Sequence, residues 1–223
     1  EGPMADIRDA SERIRSSAVR HRVTLTLTPS FAAGWFLPRM RRLTEALPEL
    51  ELNLVSTTRV IDLAIENVDL AIRRGAGTWP GLERAPMFTE TIVPVVAHAS
   101  VANGAAGSLY HLLRDKGLLV NATLPGEWDD WAALNGIELG PDLRRFTLET
   151  YELTIEACRD GLGVALGRRP LVDPLLASDT LVQPFTETST PSLGYFIVWR
   201  TERPPSAMAR RLKDWLLAEC SAK

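Results

Sequence analysis

Two segments confine this chain to an open α/β architecture. Thr24-Leu-Thr-Leu-Thr-Pro-Ser-Phe-Ala-Ala-Gly-Trp35 alternates polar and apolar residues and then runs straight into helical sequence. Alternation of period two marks a half-buried strand. The hydroxyl of Ser30 stands at this junction, where the first N–H groups of a helix lack partners, so the spot suits an anion or another polar ligand. Asp160-Gly-Leu-Gly-Val-Ala165 brings a helix to a glycine stop and returns at once to an apolar strand. Both segments describe a sheet that offers a ligand site at its strand ends.

The order of elements extends this reading. Val23–Thr28 is a strand, and Phe31–Leu47 a helix closed by Pro48, which cannot continue the backbone ladder. Leu50–Ser56 is a second strand, Arg59–Asn67 a short helix and Val68–Ile72 a third strand. Such a βαβαβ opening predicts parallel strands joined by right-handed crossovers. A glycine, proline and tryptophan loop spans Gly75–Gly81, and Leu82–Phe88 and Thr91–Ala97 read as strands. The pattern then restarts. Ser108–Arg114, Glu127–Leu134 and Tyr151–Arg159 read as helices between strands at Gly117–Asn121, Arg144–Leu148 and Gly163–Leu166. Pro170–Leu176 is a helical turn and Leu181–Pro184 a short strand. Gly194–Arg200 is an apolar strand and Pro204–Cys220 a closing helix with an apolar face at Met208, Leu212, Trp215 and Leu216. Ahead of all this, Ile7, Ala10, Ile14 and Ala18 follow helical spacing over Ala5–Ala18, as the tail of a linker helix or a frayed terminus. The predicted domains are 1–21 as that remnant, 22–94 plus 196–223 as one lobe, and 95–195 as the other.

A chain of 223 residues has room for either one large domain or two small ones. Its formal charge is −3, and a domain that grips nucleic acid by itself usually carries a basic face. The longest apolar run, Ile92–Ala97, is far too short to span a bilayer. No secretory leader pattern is present, which predicts a cytoplasmic location without membrane contact. Cys158 and Cys220 fit no metal or redox spacing and read as two reduced thiols.

Catalytic signatures fail one by one. Gly161-Leu-Gly163-Val-Ala-Leu-Gly167 has its third glycine one residue late for a dinucleotide loop and follows a helix rather than a strand. A helix stop at Gly161 and close packing at Gly163 explain it better. His21, His98 and His111 show no ligand spacing and read as surface residues. Ser30 is outside any G-x-S-x-G elbow. Glu127, Asp129 and Asp130 sit at a helix start, where negative charge is favourable by roughly 0.3–1 kcal/mol each. Arg39, Arg41 and Arg42 read as a solvated helix face. No catalytic residue, metal site or cofactor is predicted. What remains is a set of polar residues at strand-to-helix junctions: Ser30, Thr57 and Thr58, Asn121 and Thr123, and Glu149 with Thr150. Each alone reads as a helix cap; their recurrence where open sheets bind ligands points to a shared pocket.

The order Thr28-Pro-Ser-Phe31, Asp69-Leu-Ala-Ile-Arg-Arg-Gly75, Trp79-Pro-Gly-Leu82, Glu156-Ala-Cys-Arg-Asp-Gly-Leu-Gly-Val-Ala165 and Leu181-Val-Gln-Pro184 resembles the effector-binding domain of LysR-type transcriptional regulators. The similarity spans nearly all of Val23–Leu217. Trp128, Trp131 and Arg73-Arg74-Gly75 resemble the subgroup that holds the glycine-cleavage activator and the β-lactamase regulator. The resemblance implies a periplasmic-binding-protein type 2-like α/β fold of two Rossmann-like lobes, joined by two crossing strands, with a ligand cleft between them. It implies a non-enzymatic sensor of a small, plausibly anionic effector. It also implies a homodimer through this domain, a higher oligomer of the whole protein, and DNA contact through an N-terminal winged helix-turn-helix missing from this fragment. Matching positions give Ser30, Phe31, Thr57, Thr58, Asn121, Thr150, Tyr151 and Tyr195 as effector-binding residues, with Arg73 either offering charge or pairing near the Gly75 loop. Tyr151 and Glu152 depart from the small hydroxyl residues of close relatives, which implies a narrower pocket and argues against a cell-wall peptide as ligand. The competing reading is a periplasmic solute-binding protein of an ABC transporter, which shares the fold.

Overall fold

The computed structural model describes residues 21–59, 61–63, 65–101, 108–189 and 193–221, so the helix expected over Ala5–Ala18 lies outside the described residues. The chain divides into two units. One holds the described residues up to Ala32, Phe36–Phe88, and those from Leu193 onward; the other holds Ala33–Trp35 and the described residues from Thr89 to Ser189.

In the first unit, β1 (Arg22–Leu27) pairs in parallel with β2 (Glu51–Ser56) on one side and β3 (Leu70–Gly75) on the other. The parallel register of β1 with β2 follows from the βαβ connection that the sequence predicted, whereas β3 is reached from β2 through turns. β4 (Leu82–Thr89) and β10 (Gly194–Arg200) complete the sheet in the order β2-β1-β3-β10-β4, with β10 antiparallel to β3. The last strand thus returns to the first unit. The closing helix α7 (Ala207–Ser221) covers β1 and buries Met208, Ala209, Leu212 and Leu216.

Two expectations need correction here. The helix predicted over Phe31–Leu47 is not one regular helix. It begins as α1 (Pro29–Phe31), widens to a π turn over Ala32–Phe36, tightens to a 3-10 turn over Leu37–Arg39 and resumes as α2 (Met40–Ala46). Pro38 lacks the N–H that a continuous α ladder needs, and a proline is a standard cause of such an irregularity. The predicted helix over Arg59–Asn67 is absent among the described residues there, which form turns. Ile61 and Leu63 are both buried, in one cluster with Val68, Ala71 and Val198. This packing onto β3 and β10 holds the segment as turns, so tertiary burial overrides its local helical spacing. Asn67, with φ of 50°, ends the segment in the left-handed region.

In the second unit, β5 (Thr91–Ala97) lies between antiparallel β8 (Ala165–Arg169) and β9 (Leu181–Val182). β6 (Leu118–Asn121) pairs in parallel with β7 (Arg145–Leu148) and meets Val164 through a bridge at Leu118. Helices α3 (Leu109–Lys116), α4 (Glu127–Leu134), α5 (Tyr151–Arg159) and α6 (Asp173–Ala177) complete the unit. Trp128 and Trp131 of α4 are fully buried and meet edge to face at 5.7 Å. The Trp128 indole N–H donates to the Leu119 carbonyl at 2.9 Å, which ties α4 to β6. Gly161 ends α5 with φ of +79°, and a side chain on Gly163 would stand 3.0 Å from the Gly117 carbonyl oxygen. Both glycines therefore have the structural roles their spacing suggested.

Candidate functional site

The first unit gathers its polar residues at the carboxyl ends of β1 and β2. Thr28 leaves β1 with extended backbone and caps α1, its hydroxyl accepting the Phe31 N–H at 3.4 Å. Ser30 lies beside it, the two hydroxyl oxygens 3.0 Å apart. The capping group of the junction is thus Thr28, with Ser30 as its partner. The Thr57 N–H donates to the Leu27 carbonyl at 3.0 Å, which holds the end of β2 against the end of β1. The Thr57 hydroxyl accepts the Arg59 N–H at 3.1 Å.

Thr28 and Thr57 border a hollow of about 200 Å³, lined also by Thr58, Arg73, Arg74 and Trp79 among others, with Ser30 outside the lining. Arg73 donates through Nη2 to the Ile61 carbonyl, which fixes the turn segment after β2 above the strand. Burial pushes the Arg73 guanidinium below its ordinary pKa, with the Asp62 carboxylate working against that shift. Arg59 forms a bidentate pair with Glu66 at 2.8 and 2.9 Å. The arrangement offers donors and positive charge to a bound polar molecule.

Phe31 and Tyr195 come together in the same unit, away from the hollow's lining. Both are buried, their ring centroids 5.2 Å apart, and Phe88 completes the trio at 6.0 Å from Phe31 and 5.1 Å from Tyr195. Phe88 carried no sequence signal, being one apolar residue near the end of a strand. Trp79 and Arg74 stand in motifs of the resemblance without an assigned place in the lining, whereas Arg73 is expected either to offer charge or to pair near the Gly75 loop.

The second unit holds the other three predicted positions. Asn121 ends β6, is 5% exposed, and accepts both the N–H and the hydroxyl of Thr123 at 3.1 and 2.9 Å. Those two bonds fix its amide orientation, and its Nδ2 has no hydrogen-bond partner among the described residues. Thr150 caps α5, accepting the Leu153 N–H at 3.3 Å. Tyr151 is buried and its hydroxyl accepts the Arg168 N–H at 2.8 Å. Burial raises the Tyr151 phenol well above its ordinary value.

Tyr151 belongs to a brace of charged groups. The Arg168 guanidinium lies 4.5 Å over the Tyr151 ring, bonds both oxygens of Glu127 at 2.8 and 3.1 Å, and comes within 3.9 Å of the fully buried Glu90. Glu127 therefore does more than meet the dipole of α4: it holds α4 to β8. Asp129 pairs with Arg145 at 2.9 Å. The predicted solvated arginine face is also corrected in part. Arg41 is exposed, but Arg42 hydrogen-bonds Glu219 of α7 and Arg39 lies 3.6 Å from the same carboxylate, which is only 10% exposed. His98 and His111 make local contacts, to the Asp179 carbonyl and to Ser108. No group of three or more metal-ligating side chains occurs among the described residues, and none of their helices is long and apolar enough to cross a membrane.

The LysR substrate binding domain family matches residues 16–221 of this chain. The HTH-type transcriptional activator AmpR of Providencia stuartii is 31% identical over 198 residues, covering 88% of this chain and 65% of that protein. The AhcY transcriptional activator HvrB of Rhodobacter capsulatus is 31% identical over 218 residues, covering 96% of this chain and 71% of that protein. The chain thus spans about two thirds of the length of these relatives. The effector domain of AmpR from Pseudomonas aeruginosa has a similar structure, with a TM-score of 0.76 at 27% identity, covering 90% of this chain and 96% of that one. The fold is accordingly the periplasmic-binding-protein type 2-like α/β fold, and these relatives are regulators of transcription rather than enzymes. With the strand-end hydroxyls, the Gly161 stop and the returning β10 all in place, the chain belongs to the LysR substrate-binding domain family.

Proposed function

We propose that this chain is the effector-sensing domain of a LysR-type transcriptional regulator, and that a small molecule binds in the hollow at the carboxyl ends of β1, β2 and β3. The observation that carries the proposal is that Thr28, Thr57, Thr58 and Arg73 line one hollow. Open α/β sheets bind ligands at such strand ends. Ser30, bonded to Thr28, orients the rim, while Phe31 and Tyr195 support it from the aromatic cluster. In the second unit, taken by itself, Asn121, Thr150 and Tyr151 are the candidate recognition residues. Asn121 is the most direct of these, because a buried amide N–H without a partner costs about 1–3 kcal/mol until an acceptor reaches it.

The whole protein, on this reading, is a cytoplasmic homodimer through this domain and a higher oligomer overall, contacting DNA through a winged helix-turn-helix segment. Support comes from the AmpR relatives, which are named HTH-type transcriptional activators. The effector acts by binding one conformation better than another, since equal affinity for both shifts nothing. Coupling of this kind is typically about 1–3 kcal/mol. Native mass spectrometry of freshly purified wild type and Thr57→Trp tests the site. A small-molecule adduct on the wild type that disappears from the variant is expected; retention by both proteins removes the hollow from the site.

A further inference from the structure

Resting on that reading, we infer that the hollow is built for one compact carboxylate, its acid group held by Arg73 and the Thr57 hydroxyl. Size is the first argument. About 200 Å³ lies below the roughly 300–1,000 Å³ of sites for drug-sized ligands, so a single functional group dominates recognition.

Charge is the second argument. Arg59 has its counter-charge within the chain, in the bidentate pair with Glu66. Arg73 differs. Its partner is the neutral Ile61 carbonyl, it forms no ion pair among the described residues, and one of its five N–H donors is used in that bond. A half-buried guanidinium held by a carbonyl keeps its full charge toward whatever enters beside it. Asp62 is the carboxylate whose charge acts on it.

Donor count is the third argument. The Thr57 oxygen already accepts from the Arg59 N–H, and the Thr28 oxygen from the Phe31 N–H. A hydroxyl that accepts still has its proton to give. Thr28 shares its hydroxyl with Ser30, so the Thr57 proton is the hydroxyl donor offered beside the Arg73 guanidinium, a pairing that suits an ionised carboxylate, an acceptor-only group whose planar geometry fits a guanidinium fork. Ile61, Ile72 and Trp79 leave an apolar wall for the rest of a small molecule.

Isothermal titration of the chain with propionate, benzoate, their amides and inorganic phosphate tests the inference. At least one carboxylate is expected to bind, with its amide about 10-fold weaker or more and phosphate weaker than the acid. Arg73→Gln should weaken the carboxylate roughly 10- to 100-fold, with Arg73→Lys intermediate. Should Arg73→Gln fail to fold on release of the Ile61 carbonyl, Thr58→Glu, at an exposed position, sets a rival carboxylate at the rim and should cause a similar loss. Equal binding of acid and amide, tighter phosphate, unaltered affinity in the folded variants, or no carboxylate binding up to about 10 mM would each overturn it. A neutral ligand whose binding is lost in Thr57→Trp leaves the effector site standing and removes only the acid class. Binding of any probe that ignores Thr57→Trp removes the site itself.

Discussion

Arg168→Leu should be the most damaging single change in the second unit. The guanidinium is 7% exposed and sits between Glu127, bonded at 2.8 and 3.1 Å, and Glu90, which has no exposed side-chain surface. At 4 Å and an effective dielectric near 20, each unit charge pair is worth about 4 kcal/mol before desolvation is counted. Leucine leaves two carboxylates in a low-dielectric site without the cation between them, a type of change that typically costs about 3–5 kcal/mol. The cation–π contact over Tyr151 at 4.5 Å disappears as well, adding about 0.5–1 kcal/mol. With a urea slope of about 1–3 kcal/mol/M, the midpoint should fall by on the order of 2 M. Urea unfolding followed both by tryptophan fluorescence, to which buried Trp128 and Trp131 contribute, and by circular dichroism measures the loss and checks for a single transition. Tyr151→Phe isolates one bond of the brace, the Arg168 N–H to the phenol oxygen, and should cost about 1–3 kcal/mol. Arg168→Leu within about 1 kcal/mol of wild type would refute the claim that this brace holds α4, α5 and β8 together.

Three further outcomes follow from local geometry. Gly161→Ala should destabilise by about 1–2 kcal/mol in the same assay, because its φ of +79° strains any side chain although the added methyl meets only Ser100 Oγ at 3.4 Å. Trp128→Phe should cost about 1–3 kcal/mol from the stranded Leu119 carbonyl, before any cavity contribution. Burial pushes the Cys158 thiol up to about 12 and the Cys220 thiol up to about 12, so both stay protonated at pH 8. A thiol reagent at that pH should therefore label the native chain far more slowly than the urea-unfolded chain; equal rates would contradict the burial.

Much of the fold was legible because its boundaries carry local chemistry. Thr150 as a cap and Gly161 as a left-handed stop fix α5, and the acidic first turn fixes α4; both match the predicted spans. β5 and β10 are long apolar strands and likewise match their predicted bounds. The failures arise where tertiary burial overrides local pattern. Residues 59–67 look helical by spacing, yet Ile61 and Leu63 go down together onto Ala71 and Val198. The stretch after Thr28 keeps helical spacing, but Pro38 interrupts the ladder and the helix changes type there. Within the candidate site, Thr57 and Thr58 were visible because they terminate a strand, a position that sequence alone reveals. Phe88 and Trp79 were not placed, since their roles depend on neighbours contributed by other strands. The Arg168–Glu127 and Arg42–Glu219 pairs span 41 and 177 residues, and nothing in the sequence announces such partners.

A crystal structure of the chain, grown with the tightest-binding acid of the titration panel, tests the central claim most directly. The account predicts the acid in the hollow, its carboxylate within hydrogen-bond reach of Arg73 Nη and the Thr57 hydroxyl. An acid seated elsewhere, with Thr28, Thr57, Thr58 and Arg73 untouched, would contradict it.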